Sequence, residues 1–261
     1  MPTPHQGAPM SMIVRSAVRA LSITALLAGT AAAAAAQGAS PLQILSRYNK
    51  AIDPAGKLST LEGVRTVGTM EMPAAGVSAQ LEAAQRRPNQ MIMTITLAGL
   101  GQIRQGFDGT TAWSSDPMGG PRILTEAETA QIKDGADFRS MGRDTALFAS
   151  IESAGETQLD GEATDCVKLT WKTQRVTTEC YSRTSGLLLE SRSKNASPQG
   201  EIETVTRMYD YKPVAGVMMS HKMVNQMMGA TQTITWTTIE AGPLDAKLFE
   251  LPQEIKALKA P

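Results

Sequence analysis

Hydrophobic positions along this chain recur first at helical spacing and then, for almost its whole length, at every second residue. In Pro41–Ile52, Leu42, Leu45, Tyr48 and Ile52 stand three and four residues apart, which predicts one amphipathic helix ended by Asp53-Pro54-Ala55-Gly56. From Leu61 the period becomes two. Turns at residues 73–76, 87–89, 98–101, 108–109 and 116–121 divide the next stretch into about five antiparallel strands. The Asp108-Gly109 pair is the clearest of these turns, since glycine takes a positive φ without steric cost.

The alternation loosens between Glu126 and Ser150. There Thr125-Glu126-Ala127-Glu128, followed by Ala130 and Ile132, predicts a capped helix, and residues 144–150 a further short one. Strands then resume, with turns at 160–161, 184–186, 197–200, 214–216 and 229–230 separating about six more runs. Many hairpin-linked strands with few helices predict a mainly β fold, one strongly curved or barrel-like sheet with helices over an end or the concave face. Alternation then assigns sides. Met91, Met93, Ile95 and Leu97 share one face of their strand, and Ile92, Thr94 and Thr96 share the other. Val77, Ala79, Leu81 and Ala83 line up in the same way, as do Ile234 and Trp236.

Residues 1–36 read as a secretory signal peptide. Arg15 and Arg19 are its only charges, an apolar run follows, and Ala34-Ala35-Ala36 before Gln37 suits cleavage near Ala36. The apolar run is too short and alanine-rich for a good membrane span, and no Cys lies near the cut to carry a lipid. The expected product is one soluble exported domain, residues 37–261, in a bacterial periplasm. It carries 23 basic and 25 acidic side chains, a formal charge of −2, which gives no hint of nucleic acid or anionic membrane as partner.

Cys166 and Cys180 are the only cysteines. Folding their flanking runs as a hairpin centred on Thr173 sets them opposite each other, so in an oxidising compartment they are expected to form a cross-strand disulfide.

Candidate chemistry is sparse. His221 is the one histidine beyond the leader, and its neighbour Ser220 points to the opposite strand face, so the two do not make a nucleophile and base. No nucleophile elbow, phosphate loop or metal spacing occurs, and neither a cofactor nor a metal site is expected. Arg104 and Arg122 lie among apolar strand positions, either as solvated face residues or as contacts for a phosphate or ester head group. Met91, Met93, Met218, Met219, Met223, Met227 and Met228 suit an adaptable apolar lining or ordinary core filling.

The order of several short motifs resembles the periplasmic lipoprotein-carrier superfamily, the LolA/LolB-like outer-membrane lipoprotein-sorting proteins. The motifs are the leader, the first helix, Arg87-Pro88-Asn89-Gln90-Met91 opening a strand, Gly106-Phe107-Asp108-Gly109-Thr110-Thr111-Ala112-Trp113 and Thr184-Ser185-Gly186-Leu187. Asp210-Tyr211 before Gly216-Val217 and the tail Leu248-Phe249-Glu250-Leu251-Pro252 complete them.

That resemblance implies a half-open antiparallel β-barrel of about eleven strands, whose helix-covered apolar inside holds acyl chains without chemistry. The expected lining is Met70, Leu81, Met91, Met93, Ile95, Leu97, Ile103, Trp113, Ile234 and Trp236. Expected partners are lipid or lipoprotein acyl chains, with an inner- or outer-membrane envelope protein as a further one. Beyond the leader the chain has twelve Met but only three Trp, four Phe and four Tyr, so general lipid binding fits better than classical lipoprotein transport. The alternative is an envelope regulatory or scaffold module using the same fold for protein contact. An acidic-residue hydrolase ranks last, because no carboxylate pair stands out.

Overall fold

A computed structural model describes residues 38–198 and 200–259. The expected signal peptide lies outside these residues. Helix α1, Pro41–Ile52, opens at Ser40, whose hydroxyl accepts from Gln43 N while Gln43 Oε1 accepts from Ser40 N. It buries Ile44, Leu45, Tyr48 and Ile52, whereas Leu42 is 59% exposed. The apolar stripe is thus rotated from the predicted one, with Ile44 in place of Leu42.

Thirteen antiparallel strands follow. The first six are β1 (Gly63–Met72), β2 (Val77–Arg86), β3 (Gln90–Leu97), β4 (Gly101–Phe107), β5 (Ala112–Asp116) and β6 (Gly120–Ile123). Helix α2 (Glu126–Ala136) intervenes, with the reciprocal cap between Thr125 and Glu128 that its sequence predicts. Residues 138–142 and 145–147 are only 3₁₀ turns, and Phe148 already belongs to a strand, so the helix expected at 144–150 is not formed. Then come β7 (Phe148–Leu159), β8 (Glu162–Trp171), β9 (Val176–Ser182), β10 (Leu188–Ser197), β11 (Gly200–Val214), β12 (Val217–Met227) and β13 (Ala230–Ala241). A short α3, Gln253–Leu258, closes the described chain.

All thirteen form one sheet in the order β6-β5-β4-β3-β2-β1-β13-β12-β11-β10-β9-β8-β7. The expected count of about eleven is therefore corrected to thirteen, and the sheet stays open, with β6 and β7 as edges. Strand β6 escapes the turn pattern because it is four residues long and contains Pro121, a residue that counts against a central strand but is tolerated at an edge.

The sheet must curl strongly. Six strands separate β4 from β10 in the order, yet α2 touches β4 and β5 on one side and β10 on the other. Its Ile132 and Ala136 pack with Phe107, Ala112 and Leu124. At its far end Asp134 accepts from Thr173 Oγ1 at 2.8 and 2.9 Å and from Arg175 Nε at 2.9 Å, in the β8–β9 turn. Helix α2 thus bridges the opening that the sheet leaves. Helix α1 covers the other half, where its buried stripe meets Phe148, Val167, Leu169, Trp171, Tyr181 and Leu188.

The β8–β9 hairpin turns about Thr173, pairs Cys166 with Cys180 and joins them in a disulfide. Both sulfurs are buried beside Leu159.

Candidate functional site

The concave face of the sheet can be read from its pairing register, because directly opposed residues share a face. One row runs Ile103, Ile95, Leu81, Gly68, Trp236 across β4, β3, β2, β1 and β13. The next runs Leu97, Ala79, Met70, Ile234 and Met223, and reaches Met208 on β11. Met93 pairs with Ala83, and Met91 with Gln85, in the rows on the other side. Nine of the ten residues expected to line the interior therefore lie on a single face.

Their depth differs. Met70 and Leu81 are buried, at 6% and 1% exposure. Met93, Ile95, Leu97, Ile103 and Ile234 are half-buried on the open part of the face. Met91 and Trp236 border a cavity of about 380 Å³, within the size range of small-molecule pockets.

Trp113 must be moved out of this set. In the β4–β5 register it opposes Gly106, while Phe107 opposes Ala112, so Trp113 projects from the convex face. It is 1% exposed there, and a Cβ on Gly106 would stand 2.8 Å from its indole. Arg104 covers the ring at 5.4 Å and lies 4.0 Å from Glu254 of α3, the helix that packs against β6. Arg104 is therefore not at the cavity mouth. Nor is Arg122, which holds Glu128.

Residues outside the expected set complete the cavity wall: Tyr48 and Ile52 of α1, Met141 and Arg143 after α2, and Met208, Tyr211, Met218, Met219 and Met223 of β11 and β12. Two strand irregularities accompany this part of the wall. Asp210 takes φ 56° within β11, and Met208 and Tyr211, three residues apart, both reach the wall. In β13 the register slips at Thr237, so that Trp236 opposes Gly68 and Ile239 opposes Thr66, and both also reach it. Gly68 is required at this bulge, since a Cβ would stand 2.1 Å from Thr235 O. The clustered methionines of β12 were the only sequence signal for this half of the wall.

The wall has one polar end. Arg143, in the left-handed region at φ 49°, donates from Nε to Glu179 Oε2 at 2.7 Å and from Nη1 to Ser140 O. Tyr181 donates its hydroxyl to the same Glu179 oxygen. The Tyr48 and Tyr211 hydroxyls donate to Met141 O at 3.0 Å and Leu188 O at 2.8 Å. Burial pushes all three tyrosines above their ordinary pKa, so they remain protonated donors. Ser220 and His221 do not bond each other. The serine hydroxyl lies 2.8 Å from both Tyr209 O and Lys222 O, and His221 Nδ1 lies 3.0 Å from Met219 O.

A larger groove of about 620 Å³ lies between α2, the β8–β9 turn and β10–β11. Five charged side chains line it: Arg175, paired with Asp134, Arg192, paired with Glu190, and Lys194, Glu201 and Glu203. Among the described residues no three His, Cys, Asp or Glu gather as a metal site, and no helix is long and apolar enough to cross a membrane.

No family model and no curated protein matches the sequence. Solved structures do match the fold. A LolA superfamily protein from Nitrosomonas europaea superposes with a TM-score of 0.55 at 15% identity, over 82% of this chain and 99% of that one. A DUF1329 family protein from Desulfovibrio piger gives 0.55 at 10%, over 81% and 98%. A domain described as an outer membrane lipoprotein-sorting protein, from Vibrio parahaemolyticus, gives 0.52 at 8%, over 80% and 95%. The chain has the LolA-like fold.

Proposed function

We propose that this protein is a periplasmic carrier that holds acyl chains of a lipid or lipoprotein in its concave apolar face and performs no chemistry on them. The observation that supports this most is the methionine-rich cavity bordered by Met91, Met208, Met219, Met223 and Trp236 beneath α1 and α2, continued by the half-buried row Met93, Ile95 and Leu97. Methionine side chains are flexible and polarizable, so such a wall adapts to chains of varied shape. Burying one methylene contributes about 0.8 kcal/mol, so a chain of roughly fifteen contributes on the order of 12 kcal/mol relative to water. A bilayer offers nearly the same gain. Cargo can then pass between membrane and protein with little net driving force, in a direction set by small differences in packing.

Native mass spectrometry of protein purified gently from its own periplasm tests this reading. The expected result is a population carrying a mass adduct that organic extraction removes and that contains acyl chains. Empty protein, with no uptake of fluorescent fatty-acyl probes, would overturn it.

A further inference from the structure

We infer that the polar end of the cavity receives the neutral carbonyl of an acyl ester or amide, with Arg143 as the donor, in preference to a free fatty-acid carboxylate. This rests on the carrier reading above and specifies the chemical class of its ligand.

The case begins with a charge that hydrophobic packing does not require. Arg143 and Glu179 have side-chain exposures of 15% and 2%, and both charges lose hydration when the chain folds. A buried ion pair is commonly no more stable than a well-packed apolar pair of the same size. A non-glycine residue at φ 49° adds backbone strain, which proteins tend to concentrate at functional sites. Arg143 of this costly pair also borders a cavity whose wall is mostly Met, Ile, Val, Leu, Ala and Trp, with Tyr48, Tyr211, Thr66, Gln85 and Ser220 as its other polar side chains.

The bonding pattern then selects the ligand. The Tyr48, Tyr181 and Tyr211 hydroxyls already donate to protein acceptors. Arg143 spends Nε on Glu179 and Nη1 on Ser140 O, and neither bond uses Nη2. A guanidinium N–H at the wall suits an oxygen acceptor from the cavity. Because Glu179 already balances Arg143, a carboxylate would bring an uncompensated negative charge into an apolar space, whereas a carbonyl would not.

Ligands of equal chain length separate these possibilities. Displacement of the neutral fluorophore N-phenyl-1-naphthylamine from the exported protein would be measured with methyl dodecanoate, dodecanoate and dodecane. The ester is expected to displace it at a roughly tenfold lower concentration than either other ligand, the scale of one hydrogen bond from a charged donor. In the paired variant Arg143→Met with Glu179→Gln, which leaves no unpaired buried charge, the ester should lose its advantage over dodecane.

Equal binding of ester and alkane to the unaltered protein would overturn the inference and leave the carrier reading standing. Tightest binding of dodecanoate, or an ester advantage that survives in the paired variant, would also overturn it. If the fluorophore and the alkane both fail to bind, the carrier reading falls first and this inference falls with it.

Discussion

Arg122 holds Glu128 with both terminal nitrogens, at 2.9 and 2.8 Å, and so fastens the first turn of α2 to the edge strand β6. Glu128 also accepts from Thr125 N at 3.0 Å. These bonds, the Arg122 contact foremost, hold the Glu128 carboxyl down at about 2. Since the folded value lies below the ordinary 4.5, its contribution to stability is complete above that pH and fades as pH falls toward 2. Arg122 is 36% exposed, so solvent screens the pair, and Glu128→Gln should cost about 1–2 kcal/mol in urea unfolding at pH 7. The difference between variant and parent should shrink at pH 3.

Two glycines give opposite predictions. Gly68 lies at the bulge that brings Trp236 and Ile239 to the cavity, and Gly68→Ala would press a methyl into Thr235 O, lowering stability by about 1–3 kcal/mol or more. Gly135 in α2 has open space around its Cβ position. There Gly135→Ala should raise stability by about 0.5–1 kcal/mol through helix propensity. Thermal denaturation of both variants beside the parent measures the contrast.

Much of this was legible in the sequence, for identifiable reasons. Asp108-Gly109, Asp160-Gly161 and Thr184-Ser185-Gly186 mark real turns because their glycines take positive φ. The Thr125–Glu128 cap and the Cys166–Cys180 pairing follow from local spacing alone. Alternation put Met91, Met93, Ile95 and Leu97 on the face they occupy. It gives no sign of the positive φ at Asp210 within β11 or of the extra residue Thr237 in β13, and it does not reach Arg143, which lies in the turns between α2 and β7. Trp113 was misplaced because its side depends on which residue of β4 it opposes, and composition says nothing about register.

The disulfide spans fourteen residues of sequence and sits in a buried cluster. In the chain-entropy model such a loop stabilises by about 3 kcal/mol. Replacing both cysteines with alanine should lower the unfolding free energy by roughly that amount while leaving far-ultraviolet circular dichroism unchanged. A loss below about 0.5 kcal/mol would show that the link constrains the unfolded chain little.

Met93 and Thr94 are neighbours on opposite faces of β3, Met93 across from Ala83 and Gln105, Thr94 across from Glu82 and Arg104. Because Met93 is only half-buried, Met93→Asp should leave the fold intact yet weaken acyl binding by about tenfold or more, as a carboxylate interrupts the apolar row. Thr94→Asp should leave binding within about twofold. Titration of a fluorescent acyl probe against both variants reads the difference.

The central claim is that acyl chains lie against the concave wall, and the three tryptophans report on it separately. Trp236 borders the cavity, Trp113 lies under Arg104 on the convex face, and Trp171 is packed against Phe148. Fluorescence quenching by a bromine-substituted acyl ester should be saturable in the parent protein and almost entirely lost in Trp236→Phe, with the ester still bound by mass spectrometry. Saturable quenching that persists unchanged in Trp236→Phe, or bound ester that quenches no tryptophan, would contradict the account.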